Sequence, residues 1–565
     1  RSSGNPRSLY DSYIRAIRWA SDRIGDAGII GFVTNAGFID GKAADGLRHC
    51  LAEEFSDIRV FHLRGNQRTI GETSRREGGK IFGSGSRAPI AISLLVKNPQ
   101  AIERGRIFFH DVGDYLSREE KLEKISAYAS IAGIPKGGWQ RITPDAHGDW
   151  LKQRDDGFAK FIPMGDKTGA ATYAMFEAYS SGVKTNRDAW AYNASLSRVT
   201  FNMEAMIDAF NAASSGTATF DVNDSRKIGW SWVLRGRQEK GFVGSFRSDG
   251  FVKAIYRPFG STWLYYDRHF NENRYQMARI FPDCGGDNLA IVVKQGWEGV
   301  GFFSLMVDRV IDVQSSGGTQ CFPLYLYGEA IQKPADSLFA GQADGAPYRR
   351  EAITDEGLRH LTSAYPGEAI SKEDLFYYVY GVLHSPEYRE RYADNLGKEL
   401  PRIPRVRTVN DFWAFSKAGR NLAALHLNYE TLAKYPLTLQ IKGNLTDADY
   451  RVEKMKFAKR KDPETGKSIN DRSTVIYNPK ITLADIPEPA WDYVINGKPA
   501  LEWVMERQSV RVDKASGIVN DANDWATETM GNPRYPLELF QRVVTVSLET
   551  QKIVAALPGL DILEN

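Results

Sequence analysis

Apolar residues in the first hundred positions fall into two periods. Over 9–24 (LYDSYIRAIRWASDRI), Ile14, Ile17, Trp19, Ala20 and Ile24 recur near every 3.6 residues and predict an amphipathic helix. Gly25 and Gly28 bracket a tight turn, and the unbroken apolar run 29–33 (IIGFV) predicts a strand buried on both faces. A helix over 40–54, a strand over 57–63 (DIRVFHL), a long Gly/Arg-rich loop over 64–88 and a strand over 89–97 (PIAISLLVK) follow. This alternation is the rhythm of an α/β sheet. The pattern is mixed from 100 to 190. Residues 190–345 then carry short β-like runs rich in aromatics, among them YRPFGSTWLYYD, NLAIVVK and GFFSLMVDRVIDV. Residues 350–396 predict helices. The clearest is SKEDLFYYVYGVLHS, with Ser371 as N-cap and Asp374 where a capping box ordinarily has Glu or Gln. A basic turn (PRIPRVR, 401–407), a helix near 411–434, a β-ribbon around the turn DPETG within 450–498 and a helix from Pro536 to about Leu557 complete the reading. There is no internal repeat and no low-complexity tract.

Composition narrows the class. The 565 residues are 42% hydrophobic and 25% charged, which excludes collagen, a disordered tail and a coiled coil. At roughly 150 residues per domain, about three or four domains are expected. Cys50, Cys284 and Cys321 are widely spaced with no CxxC, so neither a disulfide framework nor a thiolate zinc site is expected. None of the eight histidines stands at a ligating spacing, and no GxSxG occurs, so metal and hydrolase chemistry find no support. No apolar run approaches a membrane span, and no signal peptide is present. The net charge of +3 neither demands nor forbids a nucleic-acid partner, so what matters is where the cations cluster. The chain opens on Arg1 rather than Met, and a piece of a longer protein is expected.

Two segments gather cations. The loop 64–88 (RGNQRTIGETSRREGGKIFGSGSRA) carries Arg64, Arg68, Arg75, Arg76, Lys80 and Arg87 against Glu72 and Glu77. Its length favours a functional loop, its place after a sheet strand is where ligands bind, and its composition suits phosphate contact. A solvated surface loop is the alternative. GSGS at 83–86 lacks the pattern of a nucleotide phosphate loop. The second segment, 451–461 (RVEKMKFAKRK), alternates Lys454 and Lys456 with Met455 and Phe457 and continues into Arg460 and Lys461. As a strand it puts cations on one face and apolar groups on the other, fit to lie along a DNA backbone. A lysine-protected edge strand has the same pattern. The aromatic and arginine-rich stretch 256–282 reads as a β-core with amphipathic residues at its rim, and Phe376, Tyr377, Tyr380 and Leu383 read as packing. NPRY at 532–535 departs from the amino-methyltransferase tetrapeptide NPPY at its third residue, and no apolar strand leads into it.

An ordered set of stretches resembles the C-terminal part of the Type ISP restriction–modification enzymes. They are 8–41 (SLYDSYIRAIRWASDRIGDAGIIGFVTNAGFIDG), 61–98, SSGVKTNRDAW (180–190), YRPFGSTWLYYD (256–267), GGTQCFPLY (317–325) and 374–404. The resemblance implies a mixed α/β fold: the distal half of a Rossmann-like SAM-dependent methyltransferase over 1–150, then a β-rich connecting region (151–345) and a helical and β-ribbon target recognition region (346–565). It implies sequence-specific recognition of double-stranded DNA in service of adenine-N6 methylation and restriction, in a cytoplasmic, bacterial or phage-encoded enzyme. Phe82 matches the position of the aromatic that stacks on the flipped adenine. The cations of 64–88, together with Arg402, Arg405, Arg407, Lys454, Lys456, Arg460 and Lys461, are the expected backbone contacts. The family's glycine-rich SAM loop and NPPY are absent. The cofactor S-adenosylmethionine, the catalytic centre, the translocase and the nuclease are therefore expected in the missing N-terminal part, and this fragment alone is expected to bind no cofactor and not to methylate. The alternatives are a non-catalytic DNA-specificity module and a protein-interaction scaffold.

Overall fold

The computed structural model describes residues 9–69, 71–83, 85–166, 173–283, 286–294, 301–315, 317–328, 348–463 and 466–563. They form a mixed α/β protein of two compact units. One is built on residues up to 160 with 391–399, and the other on 161–295, 302–390 and 400–565. The first unit thus runs to 160 rather than 150, and the expected regions 151–345 and 346–565 fall largely in the second.

The first unit runs α1 (Ser12–Arg23), β1 (Gly28–Asn35), α2 (Asp45–Glu54), β2 (Asp57–Arg64), α3 (Gly71–Glu77), β3 (Ile90–Lys97), β4 (Arg106–Asp111), α4 (Arg118–Tyr128) and β5 (Gln140–Ile142). The sheet order is β1-β3-β2-β4-β5. β3 is antiparallel to both β1 and β2, while β4 runs parallel to β2. β1 and β2 therefore point the same way, and α2 is the crossover that parallel strands require. Ile17 of α1 and Leu51 of α2 pack on one face of the sheet against Ile30, Ile58, Val60 and Leu95. On the other face Phe61, Leu63 and Ile90 lie under Leu116, Ile125 and Tyr128. That second layer does not reach β1, where Ile29 is 67% and Val33 54% exposed. The run 29–33 is thus an edge strand buried on one face only, contrary to the expectation of two. An apolar run reports what a strand can bury and does not report its place in the sheet.

A buried charge knot fastens the outlying segments. The fully buried Arg48 donates to the Gly148 carbonyl at 2.7 Å, to the Gly41 carbonyl at 2.8 Å and to Asp149 at 2.8 Å. Asp149 also holds Arg154 at 3.0 Å and Lys398 at 2.8 Å. A buried guanidinium is tolerated when its donors are satisfied in this way.

The second unit holds three four-stranded sheets among the described residues. A helix of 20 residues, Leu196–Ser215, lies where the sequence reading placed only short strands. Its inward residues Val199, Met203, Met206, Ile207 and Phe210 follow a helical repeat, Ser195 caps its start and Gly216 ends it in the left-handed conformation. The expected helix after Ser371 spans Lys372–Val382 with a reciprocal capping box between Ser371 and Asp374. It packs against Val409–Leu427 at backbone distance. A Cβ on Gly419 would stand 1.9 Å from the Tyr377 carbonyl oxygen, and one on Gly381 would stand 2.2 Å from that of Phe415.

Alanine is the better helix former by about 1 kcal/mol, yet here overpacking should win. Gly419→Ala is expected to destabilise the second unit by roughly 1–3 kcal/mol, read as a lower denaturant midpoint. A glycine-to-alanine change with open space around it, such as Gly236→Ala, whose Cβ meets nothing within 4 Å, is expected to be neutral or stabilising.

Candidate nucleic-acid interface

The connection 64–88 between β2 and β3 is not a continuous loop. It contains α3, and its backbone is fastened along its length; positions 70 and 84 lie outside the described residues. The Gly65 amide donates to the Glu77 carbonyl at 3.1 Å, and the Gly79 amide to that of Leu116 at 2.9 Å. This approach needs glycine. Gly78 has φ +66°, and a Cβ there would lie 2.1 Å from the Leu116 oxygen; a Cβ on Gly79 would lie 2.4 Å from the Arg118 nitrogen. Arg118 Nε donates to the Ile81 carbonyl at 2.7 Å. Ile81 is buried in the core under α4, and the next residue, Phe82, is 49% exposed. An exposed aromatic ring thus stands on an anchored stretch of backbone.

The cations of this segment divide into two kinds. Arg64 is engaged inside the unit. Its Nε donates to Asp111 at 2.7 Å and its Nη1 pairs with Asp114, so it is not a free backbone contact. Burial opposes ionisation of Asp111, but hydrogen bonds from His62, Arg64 and the Gly113 amide outweigh it and hold the carboxyl down at about 2. Arg68, Arg75, Arg76 and Arg87 are exposed and Lys80 is half-buried. Arg87 donates to the Gln67 carbonyl at 2.8 Å, which ties the two ends of the connection together.

In the second unit the turn 401–407 spends its arginines on structure. Arg402 donates to the Phe161 carbonyl at 3.2 Å, Arg405 to Ser363 Oγ at 3.2 Å, and Arg407 pairs with Asp561 at 2.8 Å. The ribbon is different. Lys456–Lys461 and Ser468–Ile476 form an antiparallel hairpin with an irregularity after Phe457. Met455 is buried, and the Phe457 ring lies 5.1 Å from Trp491. Lys454, Lys456, Lys459, Arg460 and Lys461 are exposed. Lys459 Nζ donates to Asn470 at 2.6 Å, while Lys456, Arg460 and Lys461 have no ion-pair partner among the described residues. Lys454 and Lys456 are thus exposed while Met455 and Phe457 pack, and beyond the irregularity the consecutive Lys459, Arg460 and Lys461 are exposed on both faces of the ribbon.

With this geometry in hand, comparison with known proteins is informative. The family described as the Type ISP C-terminal specificity domain matches residues 174–539. The chain belongs to this family. Over 100% of its length it is similar to 49% of a nuclease-deletion mutant of the Type ISP restriction-modification enzyme LlaGI, solved with a DNA substrate mimic, at 38% identity and TM-score 0.83. It is likewise similar to 35% of the ATP-dependent Type ISP enzyme LlaBIII bound to DNA (37% identity, TM-score 0.85, 100% of this chain). A DrdV–DNA complex solved by cryo-electron microscopy matches 99% of this chain with 53% of its own, at 31% identity and TM-score 0.80. The chain spans about half or less of each relative's length. No curated protein matches it.

Two of the stretches on which the Type ISP resemblance rests, 180–190 and 256–267, meet in the second unit. Tyr256 Oη donates to Asp188 at 2.9 Å, and the fully buried Arg187 reaches the Gly229 carbonyl and Ser231. Arg257 and Phe259 hold left-handed φ of +71° and +56° in the turn after Tyr256, where the Arg257 guanidinium pairs with Asp312 and lies 4.4 Å from the Tyr256 ring. Asp188, Tyr256 and Arg257 border a cavity of about 480 Å³ also lined by Glu506, Arg507 and Arg511. Sequence reasoning did not single this cavity out, because its walls are contributed by segments far apart in the chain. Among the described residues no group of His, Cys, Asp and Glu could hold a metal, and no helix is long and apolar enough to cross a membrane.

The lowered Asp111 group gives a pH signature with a definite sign. Its contribution is present above the ordinary carboxylate value near 4 and is lost as the pH falls towards 2. Lowering the pH from 6 to 3 is therefore expected to cost the wild type about 1 kcal/mol more unfolding free energy than Asp111→Asn, measured by denaturant unfolding at each pH.

Proposed function

We propose that this chain is the DNA-reading part of a Type ISP restriction–modification enzyme, recognising a short asymmetric site in duplex DNA in service of adenine-N6 methylation and restriction. The observation that carries this reading is its likeness, along its whole length, to LlaGI and LlaBIII held on DNA. The exposed cations Lys456, Arg460 and Lys461, without an ion-pair partner among the described residues, support it, because backbone phosphates are the partners that an exposed cationic ribbon fits. Such contacts set the register, while base edges in the major groove specify the site.

The first unit is, in this reading, the distal half of a Rossmann-like methyltransferase. The crossover β1–α2–β2 and the antiparallel pair β2–β3, with Phe82 in the connection before β3, support it. Methylating an exocyclic amine in a duplex requires the base to leave the stack, and an extruded ring needs a stacking face. Phe82 supplies that face, and the exposed Arg68, Arg75, Arg76 and Arg87 belong to the same connection and are the candidates for contact with the distorted backbone. The residues here do not fit S-adenosylmethionine: the chain has neither a glycine-rich SAM loop nor NPPY. The cofactor and the adenine amino group belong to an upstream half, whose natural seat is the exposed β1 edge with Ile29 and Val33. Alone, this chain binds DNA and does not methylate.

In the intact enzyme, Phe82→Ala is expected to lower the methylation rate about tenfold or more, the worth of one base–aromatic stack, and to leave affinity for the site within about twofold. Unchanged methylation would remove Phe82 from this role.

A further inference from the structure

An exposed ring can stack on a base only if the backbone beneath it is held still, and the backbone around Phe82 is polar and glycine-rich. α4 supplies the hold. Lys121 is fully buried on this helix, and its Nζ donates to the Glu77 and Gly79 carbonyls at 2.7 Å each. Glu77 is the last residue of α3, so the ammonium sits where the helix's terminal carbonyls have no partner within the helix and where a cation is favoured. One turn earlier on α4, Arg118 Nε donates to the Ile81 carbonyl at 2.7 Å. The carbonyls of 77, 79 and 81 are thus gripped by one rigid helix, and Phe82 follows directly.

We propose that Lys121 and Arg118 are positioning residues that fasten the 77–81 backbone to α4 and so fix Phe82 for base stacking.

The chemistry of the site favours this over a purely structural lysine. Burial pushes the Lys121 amine down to about 8 against the pull of Glu77 and Asp111. A buried amine is costly unless its donors are used, and the two carbonyls it satisfies both belong to the segment that carries Phe82. The core beneath α4 is apolar, with Leu116, Ile125 and Tyr128 packed on a cluster that includes Ile81, and methionine is close to lysine in volume. Selection for packing alone gives no reason to place an ammonium there.

The role of Lys121 and Arg118 in methylation rests on the stacking function proposed for Phe82; the fastening itself does not. Two measurements separate them. Hydrogen exchange on this chain reads the fastening. Lys121→Met is expected to speed exchange at the amides of 78–83 at least tenfold while β3 and the body of α4 stay protected, and Lys121→Arg is expected to restore protection. Arg118→Met, at a half-exposed position that threatens folding less, is expected to do the same more weakly. Unchanged exchange in both variants overturns the proposal. Methylation by the intact enzyme reads the positioning. Both variants are expected to lower kcat roughly tenfold with KM for DNA within about twofold, and Lys121→Arg to recover most of it. If Phe82→Ala lowers kcat and these variants do not, the positioning role is overturned. If Phe82→Ala itself leaves kcat unchanged, the stacking reading fails, and the fastening is judged by exchange alone.

Discussion

A long polar connection between two strands can hold an aromatic ring out in solvent only if its backbone groups are satisfied somewhere else. In the first unit that constraint is met at the contact between Gly78–Gly79 and the start of α4. The two glycines let chain meet chain at a distance no side chain permits, and the Leu116 carbonyl, Arg118 and Lys121 take up the groups this exposes. The sheet supports the arrangement from below. β2 and β3 deliver the two ends of the connection side by side, and Ile81 roots its far end in the core. Loosening any of these members releases Phe82.

The same accounting sorts the cations. Charge counted along the chain treats every arginine alike, but internal partners decide which of them are available. Arg64 is taken by Asp111 and Asp114, and Arg407 by Asp561; Arg402 and Arg405 cap a carbonyl and a hydroxyl. The hairpin cations Lys456, Arg460 and Lys461 meet no carboxylate among the described residues and are exposed on a ribbon that packs through Phe457 on Trp491. Cations with partners inside the chain serve the scaffold, and exposed cations without an ion-pair partner among the described residues are the ones open to a polyanion.

Much of this was legible in the sequence, for identifiable reasons. The helix after Ser371 shows because its cap, its apolar repeat and its length agree. The hairpin shows because cation and apolar residue alternate on either side of a turn sequence. What escaped depends on the third dimension. The apolar run 29–33 suits a doubly buried strand, and nothing in it reports that β1 lies at a sheet edge. α3 escaped because a short helix of charged and small residues has no apolar stripe. The helix Leu196–Ser215 could have been found: Val199, Met203, Met206 and Phe210 keep helical spacing, and Ser195 and Gly216 mark its ends. The aromatic runs around it drew the reading towards strands. Phe82 was found by resemblance, and Lys121 by neither route, since its partners are backbone carbonyls that no side-chain pattern announces.

The central claim is that this chain reads DNA by sequence. Its most direct test is selection of the purified chain against a random duplex library, with affinity followed at two salt concentrations. The account predicts enrichment of one asymmetric motif, with affinity falling by at least about tenfold between 50 and 200 mM salt as phosphate contacts are lost. Binding that is weak, indifferent to sequence and insensitive to salt would contradict it and leave the exposed cations as a solubilising surface.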